Sequence, residues 1–214
     1  MLYFSEANGK LRKLAKRLGI PYAQIRSFDL PSGLTCNPSC KFRAVAVGGK
    51  LYKKANIYPS CYAVRSEAFY PNVWRCRTRN YAELLGLSEQ EMVRKIEKKI
   101  RQYSTLKVLR LHTSGDFFSL DYFRAWNRVA QNHPEIRFYT YTKRIGWYLK
   151  MREELAENFR ILASYGSSSD SLITRYNLPF SRSIAKGQEK RYNVPINETD
   201  FEALNGISSV IIFH

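Results

Sequence analysis

Apolar positions along the chain fall into blocks of helical and strand-like spacing. Leu11 to Leu18 alternates apolar residues with Lys and Arg, and predicts a short basic helix within a basic N-terminal segment, 1–21. Ala23 to Leu30 predicts a strand, closed by the turn residues Pro31-Ser32-Gly33. Residues 42–58 hold short β-like runs around Gly48-Gly49, which predicts a hairpin-like insertion within a cysteine loop over 36–61. Cys61 to Tyr70 and Val73 to Leu85 predict helices. A further helix opens at Ser88, where Ser88 and Glu91 fit a capping box and Met92, Ile96, Ile100 and Tyr103 recur at helical spacing. After it the chain alternates. Leu106 to Thr113 predicts a strand, and Leu120 to Asn132 a helix with Phe123, Trp126 and Ala130 on one face. Ile136 to Thr142 predicts a strand, Trp147 to Glu157 a helix, and Arg160 to Tyr165 a strand. Ser209 to Phe213 predicts a final strand.

Strands that alternate with helices, joined by connections of this length, predict parallel pairing. The expected fold is α/β, a small or incomplete β/α (TIM-like) barrel with parallel strands in a single domain over 1–214. A short open doubly wound sheet is the alternative. In such folds the working residues sit beyond the carboxyl ends of the strands. Four segments fall there: the Cys36/Cys40 loop, His112 to Asp116, Thr142-Lys143-Arg144, and Tyr165 to Asp170.

Charge sharpens this picture. Over 214 residues the net charge is +17. Residues 1–80 carry 15 Lys and Arg against 3 Asp and Glu, whereas residues 81–214 carry 20 against 15. A field of that size attracts polyanions, and nucleic acid is the expected partner. No stretch reaches the roughly 18 apolar residues that span a bilayer, and no bulky amphipathic helix points to a membrane partner. The N-terminus lacks an apolar signal core, so a cytoplasmic location is expected.

The four cysteines lie between positions 36 and 76, a clustering that favours metal binding or reactivity over disulfides in a cytosolic chain. Thiolates bind soft metals, so Cys36, Cys40 and Cys61 are candidate ligands of an iron–sulfur cluster. Zinc with Cys76 as the fourth ligand is a competing geometry, and four buried unliganded thiols a third. Asp116, after Gly115 at a strand end, is a candidate nucleophile or general base, or a grip for a cofactor amine. His112, on the same strand, is a second catalytic candidate. Lys143 and Arg144 follow the aromatic strand Phe138-Tyr139-Thr140-Tyr141, a pattern suited to phosphate contact beside base stacking.

Several of these segments together resemble the phage gene product 88 family. They are Phe28-Asp29-Leu30-Pro31-Ser32-Gly33 with Cys36, Cys40 and Cys61-Tyr62-Ala63, then Phe69 to Val73, Ser114 to Ser119, Tyr139 to Lys143, and Val194 to Asn197. The resemblance covers about residues 23–214. That family is similar in turn to three-Cys-motif phage proteins, which look like diverged radical-SAM (S-adenosylmethionine) barrels. The resemblance implies a [4Fe–4S] cluster on three cysteines, S-adenosylmethionine as a co-substrate, and Ser114, Gly115, Asp116 and Tyr62 as cofactor contacts. Radical-SAM cysteines are spaced Cys-x3-Cys-x2-Cys. Here the gaps are three and twenty residues, so a hairpin has to return Cys61 to the other two.

Three functions are expected in this order. The first is a phage-type enzyme modifying nucleic acid or a nucleotide, DNA before RNA, by radical-SAM-like chemistry. The second is a zinc-containing transglycosylase that inserts 7-deazaguanine bases into DNA, with Asp116 as nucleophile. The third is a non-catalytic basic nucleic-acid-binding protein.

Overall fold

The computed structural model describes residues 1–47, 50–53 and 61–213. A two-residue strand, β1 (Ser5–Glu6), precedes helix α1 (Gly9–Leu18). The Asn8 side chain caps α1 by accepting the Leu11 N–H at 3.0 Å, and Leu11, Leu14 and Ala15 form its buried stripe. Strand β2 (Ile25–Phe28) is shorter than its sequence suggests, because Tyr22–Gln24 after Pro21 winds into a 3-10 turn instead of extending. Strands β3 (Ala44–Val47) and β4 (Lys50–Lys53) pair as an antiparallel ribbon, and the Gly48-Gly49 turn expected between them lies outside the described residues. Ala44 and Ala46 pack on Val64 of the next helix, α2 (Tyr62–Phe69), with Cys61 against the same cluster.

Helix α3 (Pro71–Leu84) starts with proline in its first turn, where a missing N–H costs nothing. In α4 (Glu89–Ile100) both halves of the capping box form, with Glu91 N–H on Ser88 Oγ and Ser88 N–H on Glu91 Oε2. Then come β5 (Val108–Leu111), α5 (Leu120–Asn132), β6 (Arg137–Thr142) and α6 (Ile145–Met151). The last of these begins and ends earlier than the expected 147–157. Ile145, Tyr148 and Met151 supply its buried face, and Asn127 then fixes a turn by donating to the Glu154 carbonyl and accepting the Ala156 N–H, both at 2.8 Å. The chain continues through β7 (Phe159–Ser164), α7 (Asp170–Arg175), β8 (Phe180–Ala185), α8 (Phe201–Leu204) and β9 (Ser209–Phe213).

Seven strands form one mixed, mostly parallel sheet in the order β1-β2-β5-β6-β7-β8-β9, and β1 is the antiparallel member. From β2 onward each strand lies one place further in the same direction, without the reversal of a doubly wound sheet. Alternation along the strands gives the two faces different work. Phe28, Leu109, Leu111 and Phe138 face the main core, under α4, α5 and α6. On the opposite face Ile25, Val108, Tyr139 and Leu162 pack against Leu11 and Leu14 of α1 and Leu204 of α8. These two helices cover the amino ends of the strands on that face. Toward the carboxyl ends it turns polar and opens into a pocket.

Candidate functional site

The pocket holds about 170 Å³. Cys36, Cys40 and Cys61 all line it, together with residues at the carboxyl ends of β5, β6 and β7. The ribbon and α2 therefore return Cys61 to the other two cysteines across the long gap. Cys76 is not among the lining residues. It lies on α3 near Tyr3, whose hydroxyl pKa its charge helps to raise after burial. Among the described residues no group of three or more His, Cys, Asp or Glu side chains is drawn to metal-ligating spacing.

Burial pushes the Cys36 thiol up to about 12, although Sγ accepts the Gly33 N–H at 3.3 Å. Burial also raises Cys40, against the opposing pull of Lys143. Both are protonated thiols at neutral pH unless a metal displaces the proton. Gly33 has φ 75°, and a Cβ there would collide with the Ala44 carbonyl and come within 2.5 Å of Val45 Cγ2. Only glycine lets the ribbon lie this close to the cysteine loop.

Glu67 fixes the geometry and was not singled out from the sequence. It is 1% exposed. Its carboxylate accepts the Ser32 N–H at 2.9 Å, the Ser32 hydroxyl at 2.6 Å, the Ser114 hydroxyl at 3.0 Å and Arg77 Nη1 at 2.9 Å. One side chain on α2 thus ties the helix behind Cys61 to the loop before Cys36 and to the turn after β5. The available signal was its rarity, as one of three acids in residues 1–80.

The other expected site residues also gather here, most of them with hydrogen bonds already made. Asp116 is 4% exposed. Its Oδ1 accepts the Phe117 N–H at 2.8 Å and the Thr142 hydroxyl at 2.7 Å, and Oδ2 accepts the Lys143 N–H at 2.9 Å. Burial raises its pKa, and these three donors oppose the rise. It clamps the end of β5 to the end of β6, while Ser119 caps α5. Gly115 has φ 80°, and a Cβ on it would sit 2.5 Å from Thr35 Oγ1. The Tyr62 hydroxyl donates to the Thr113 carbonyl at 2.6 Å, with its ring exposed at the pocket rim.

His112 adopts φ 60°, a left-handed conformation that a non-glycine residue seldom takes and that often marks a functional position. Its ring nitrogens lie 3.0 Å from the Tyr122 hydroxyl and 3.3 Å from Thr140 Oγ1, and burial pushes its pKa down to about 3. It is a neutral hydrogen-bonding group beside the pocket. Lys143 Nζ donates to Ser164 Oγ at 2.6 Å and to the Tyr165 carbonyl at 2.5 Å. Arg144 donates from Nε to the Phe117 carbonyl at 3.0 Å and from Nη2 to the Cys36 carbonyl at 3.3 Å. Asn37 Nδ2 donates to the Lys143 carbonyl at 2.6 Å. The Lys143-Arg144 turn, expected to meet phosphates, holds the cysteine loop in place.

A second group that the sequence did not reveal lies below the pocket. Asp200, fully buried, accepts Arg110 Nη1 at 2.5 Å and Lys10 Nζ at 2.7 Å. The hydroxyls of Tyr141 and Tyr139 donate to the same carboxylate at 2.8 and 3.1 Å. Arg110 also borders the pocket.

The family model for gene product 88 matches residues 2–205. The chain is 32% identical over 120 residues to the Gene 88 protein of Mycobacterium phage L5, which is 55% of this chain and 47% of that protein. It is 30% identical over 120 residues to the Gene 88 protein of Mycobacterium phage D29, with the same coverage. The matched stretch spans about half the length of these curated relatives. No solved structure matches the chain. Among the described residues no helix is long and apolar enough to cross a membrane. A family match over nearly the whole length, with the motif-bearing segments gathered around one pocket, makes this chain a member of the gene product 88 family.

Proposed function

We propose that the chain is an enzyme acting on nucleic acid or a nucleotide at the three-cysteine pocket, with Cys36, Cys40 and Cys61 as ligands of an iron–sulfur cluster in a radical-SAM-like incomplete barrel. One observation carries the reading. Three thiols from two segments of the chain, the Cys36/Cys40 loop and the start of α2, line one pocket at the carboxyl edge of parallel strands, and Cys76 lies elsewhere. As donor types the three thiols suit a [4Fe–4S] cluster with one open iron; the described side chains are not drawn to ligating spacing, so a bound cluster would have to bring them together. The one-directional strand order from β2 to β9 supports a barrel-like sheet.

A cluster held here supplies one-electron chemistry, with S-adenosylmethionine as the co-substrate this reading implies. The chain's own groups do the rest. The Gly33 N–H stabilises charge on Cys36 Sγ, and Glu67, Asn37 and Arg144 hold the cysteine loop against the strand ends. Neutral His112, held by Tyr122 and Thr140, forms part of the wall without carrying charge. The net charge of +17 draws in a polyanionic substrate. The transglycosylase reading draws less support, since a nucleophilic Asp116 has to give up hydrogen bonds on both oxygens.

Anaerobic purification with iron, sulfide and zinc analysis tests the proposal. About four irons and four sulfides per chain are expected, lost on Cys36→Ala, Cys40→Ala or Cys61→Ala and kept in Cys76→Ala. One zinc and no iron favours base exchange. Neither metal, with steeply salt-dependent nucleic-acid binding, favours a non-catalytic binding protein. Either result overturns the cluster.

A further inference from the structure

Arg110 sits on β5 at the level of Ser27 and Tyr139 in the sheet register, on the face that opens into the pocket. It is 6% exposed. A guanidinium has five N–H donors in a planar fork, and a buried one normally spends them on a carboxylate held two-pronged. Arg110 instead meets Asp200 through Nη1, and its Nε is buried with no hydrogen-bond partner. Asp200 has no capacity left for it. Oδ2 takes Arg110 Nη1 and the Tyr139 hydroxyl, while Oδ1 takes Lys10 and the Tyr141 hydroxyl.

Its counter-charge is shared as well. Lys10, whose side chain is 26% exposed, and the buried Arg110 share the one Asp200 carboxylate, so Arg110 has no carboxylate to itself. Among the described residues lining the pocket, Asp116 is the one carboxylate, and both its oxygens are engaged. Lys143 adds a second cation to the wall, and Ser181 and Ser183 add hydroxyl-bearing residues to the same lining. Thr113, also on the wall, has a buried hydroxyl without a partner. Unpaired donors in a buried site are costly, and a ligand that supplies both acceptors and negative charge removes the cost.

We infer that the pocket floor at Arg110 is a binding site for an oxyanion, the carboxylate or phosphate of a small ligand that enters the three-cysteine pocket. This deepens the reading of that pocket but does not depend on a cluster being bound there. Arg110 is the fixed element of the site, anchored from behind by Asp200 and the two tyrosines. The ligand's anionic end meets the guanidinium, and the rest of the ligand points toward the cysteines.

Thermal unfolding of the purified protein in inorganic phosphate and in acetate, each at the ionic strength of a chloride control, tests the site. A saturating rise in Tm of about 5 °C or more is expected with at least one of them at high occupancy. Phosphate acting without acetate assigns a phosphoryl ligand, and the converse assigns a carboxylate. The rise should vanish in Arg110→Gln, shrink in Arg110→Lys, which keeps the charge facing Asp200 but loses the fork, and persist in Lys98→Gln at an exposed position of α4. If Arg110→Gln fails to fold, Arg110→Lys decides. No anion effect beyond chloride overturns the inference, and so does an effect that survives both Arg110 variants. Iron content measured on the same samples separates this result from the cluster reading, because the two readouts fail independently.

Discussion

The Ser32 backbone N–H and hydroxyl both donate to the Glu67 carboxylate, at 2.9 and 2.6 Å, so the chain before Cys36 is fastened to the helix that follows Cys61. Arg77 pairs with the same carboxylate at 2.9 Å, with both side chains buried. Removing one partner of a buried pair strands the other charge. Glu67→Ala should therefore cost about 3–5 kcal/mol, read as a lowered midpoint in urea unfolding. Glu67→Gln, which keeps the acceptor oxygen, should cost less.

Gly115 stands where any side chain is doubly penalised, by φ 80° and by Thr35 Oγ1 at 2.5 Å and Leu30 Cβ at 2.7 Å from a new Cβ. Gly115→Ala should destabilise the fold by at least about 1–3 kcal/mol. The strain falls on the turn that carries Asp116, so thiol accessibility at Cys36 should rise in the same variant. Unchanged unfolding and unchanged thiol labelling together would contradict this.

His112 should make the protein acid-sensitive. Its folded pKa of about 3 lies below the ordinary value near 6.5. Between those values the unfolded chain takes up a proton that the folded chain refuses, so stability falls as pH drops through that window. Above about 6.5 both states are neutral and the effect is gone. The slope contributed should approach about 1.4 kcal/mol per pH unit. Urea unfolding of wild type and His112→Asn at several pH values measures it as a difference; asparagine suits the left-handed backbone at this position.

Cys36, pushed up to about 12, should behave as an inert thiol in metal-free protein. At pH 8.5 its alkylation by iodoacetamide should run roughly a thousandfold slower than that of an ordinary cysteine. Denaturant should abolish the difference. Peptide mapping after timed labelling gives the rate at each of the four positions, and rapid modification of Cys36 in the folded state would exclude the buried thiol described above.

Arg144 donates to carbonyls of Phe117, Thr35 and Cys36 and lies over the Trp147 ring at 4.6 Å. A lysine cannot reproduce that spread of donors. Both Arg144→Ala and Arg144→Lys should loosen the cysteine loop, visible as faster hydrogen exchange around residues 33–41, while the α4 amides keep their protection.

Local pattern was enough to find what is locally determined. The capping box at Ser88, the apolar stripe of α5 and the strand ends that share one pocket all follow from spacings within a dozen residues. The return of Cys61 to Cys36 and Cys40 crosses a twenty-residue gap, and it was legible only through the hairpin expected within that gap. Asp200 was not, because its partners Lys10, Arg110 and Tyr141 are strung along nearly the whole chain, and the carboxylate itself lies in a turn with no periodic pattern. Strand β8, Phe180 to Ala185, hid because Ser181 and Ser183 stand on the side that faces the pocket and Arg182 interrupts the apolar pattern on the other. At Lys143 and Arg144 a structural role went unseen for a related reason. Beside an aromatic strand two cations suggest phosphate, and only the fold shows that carbonyls from the cysteine loop and the end of β7 already take their N–H groups.

The tie between Arg144 and the carbonyl of Cys36 spans 108 residues, and this sets an order of events in biogenesis. When Cys36 and Cys40 leave the ribosome, the groups that will hold their loop have yet to be made. At about 5–20 residues per second the wait is on the order of 5–20 s. Until then the thiols ride on an unanchored segment, open to oxidation and to stray metal. Any delivery system that equips this pocket has its productive moment after translation has passed position 144, and a ribosome stalled short of that codon would leave a chain with all its cysteines and nowhere to put them.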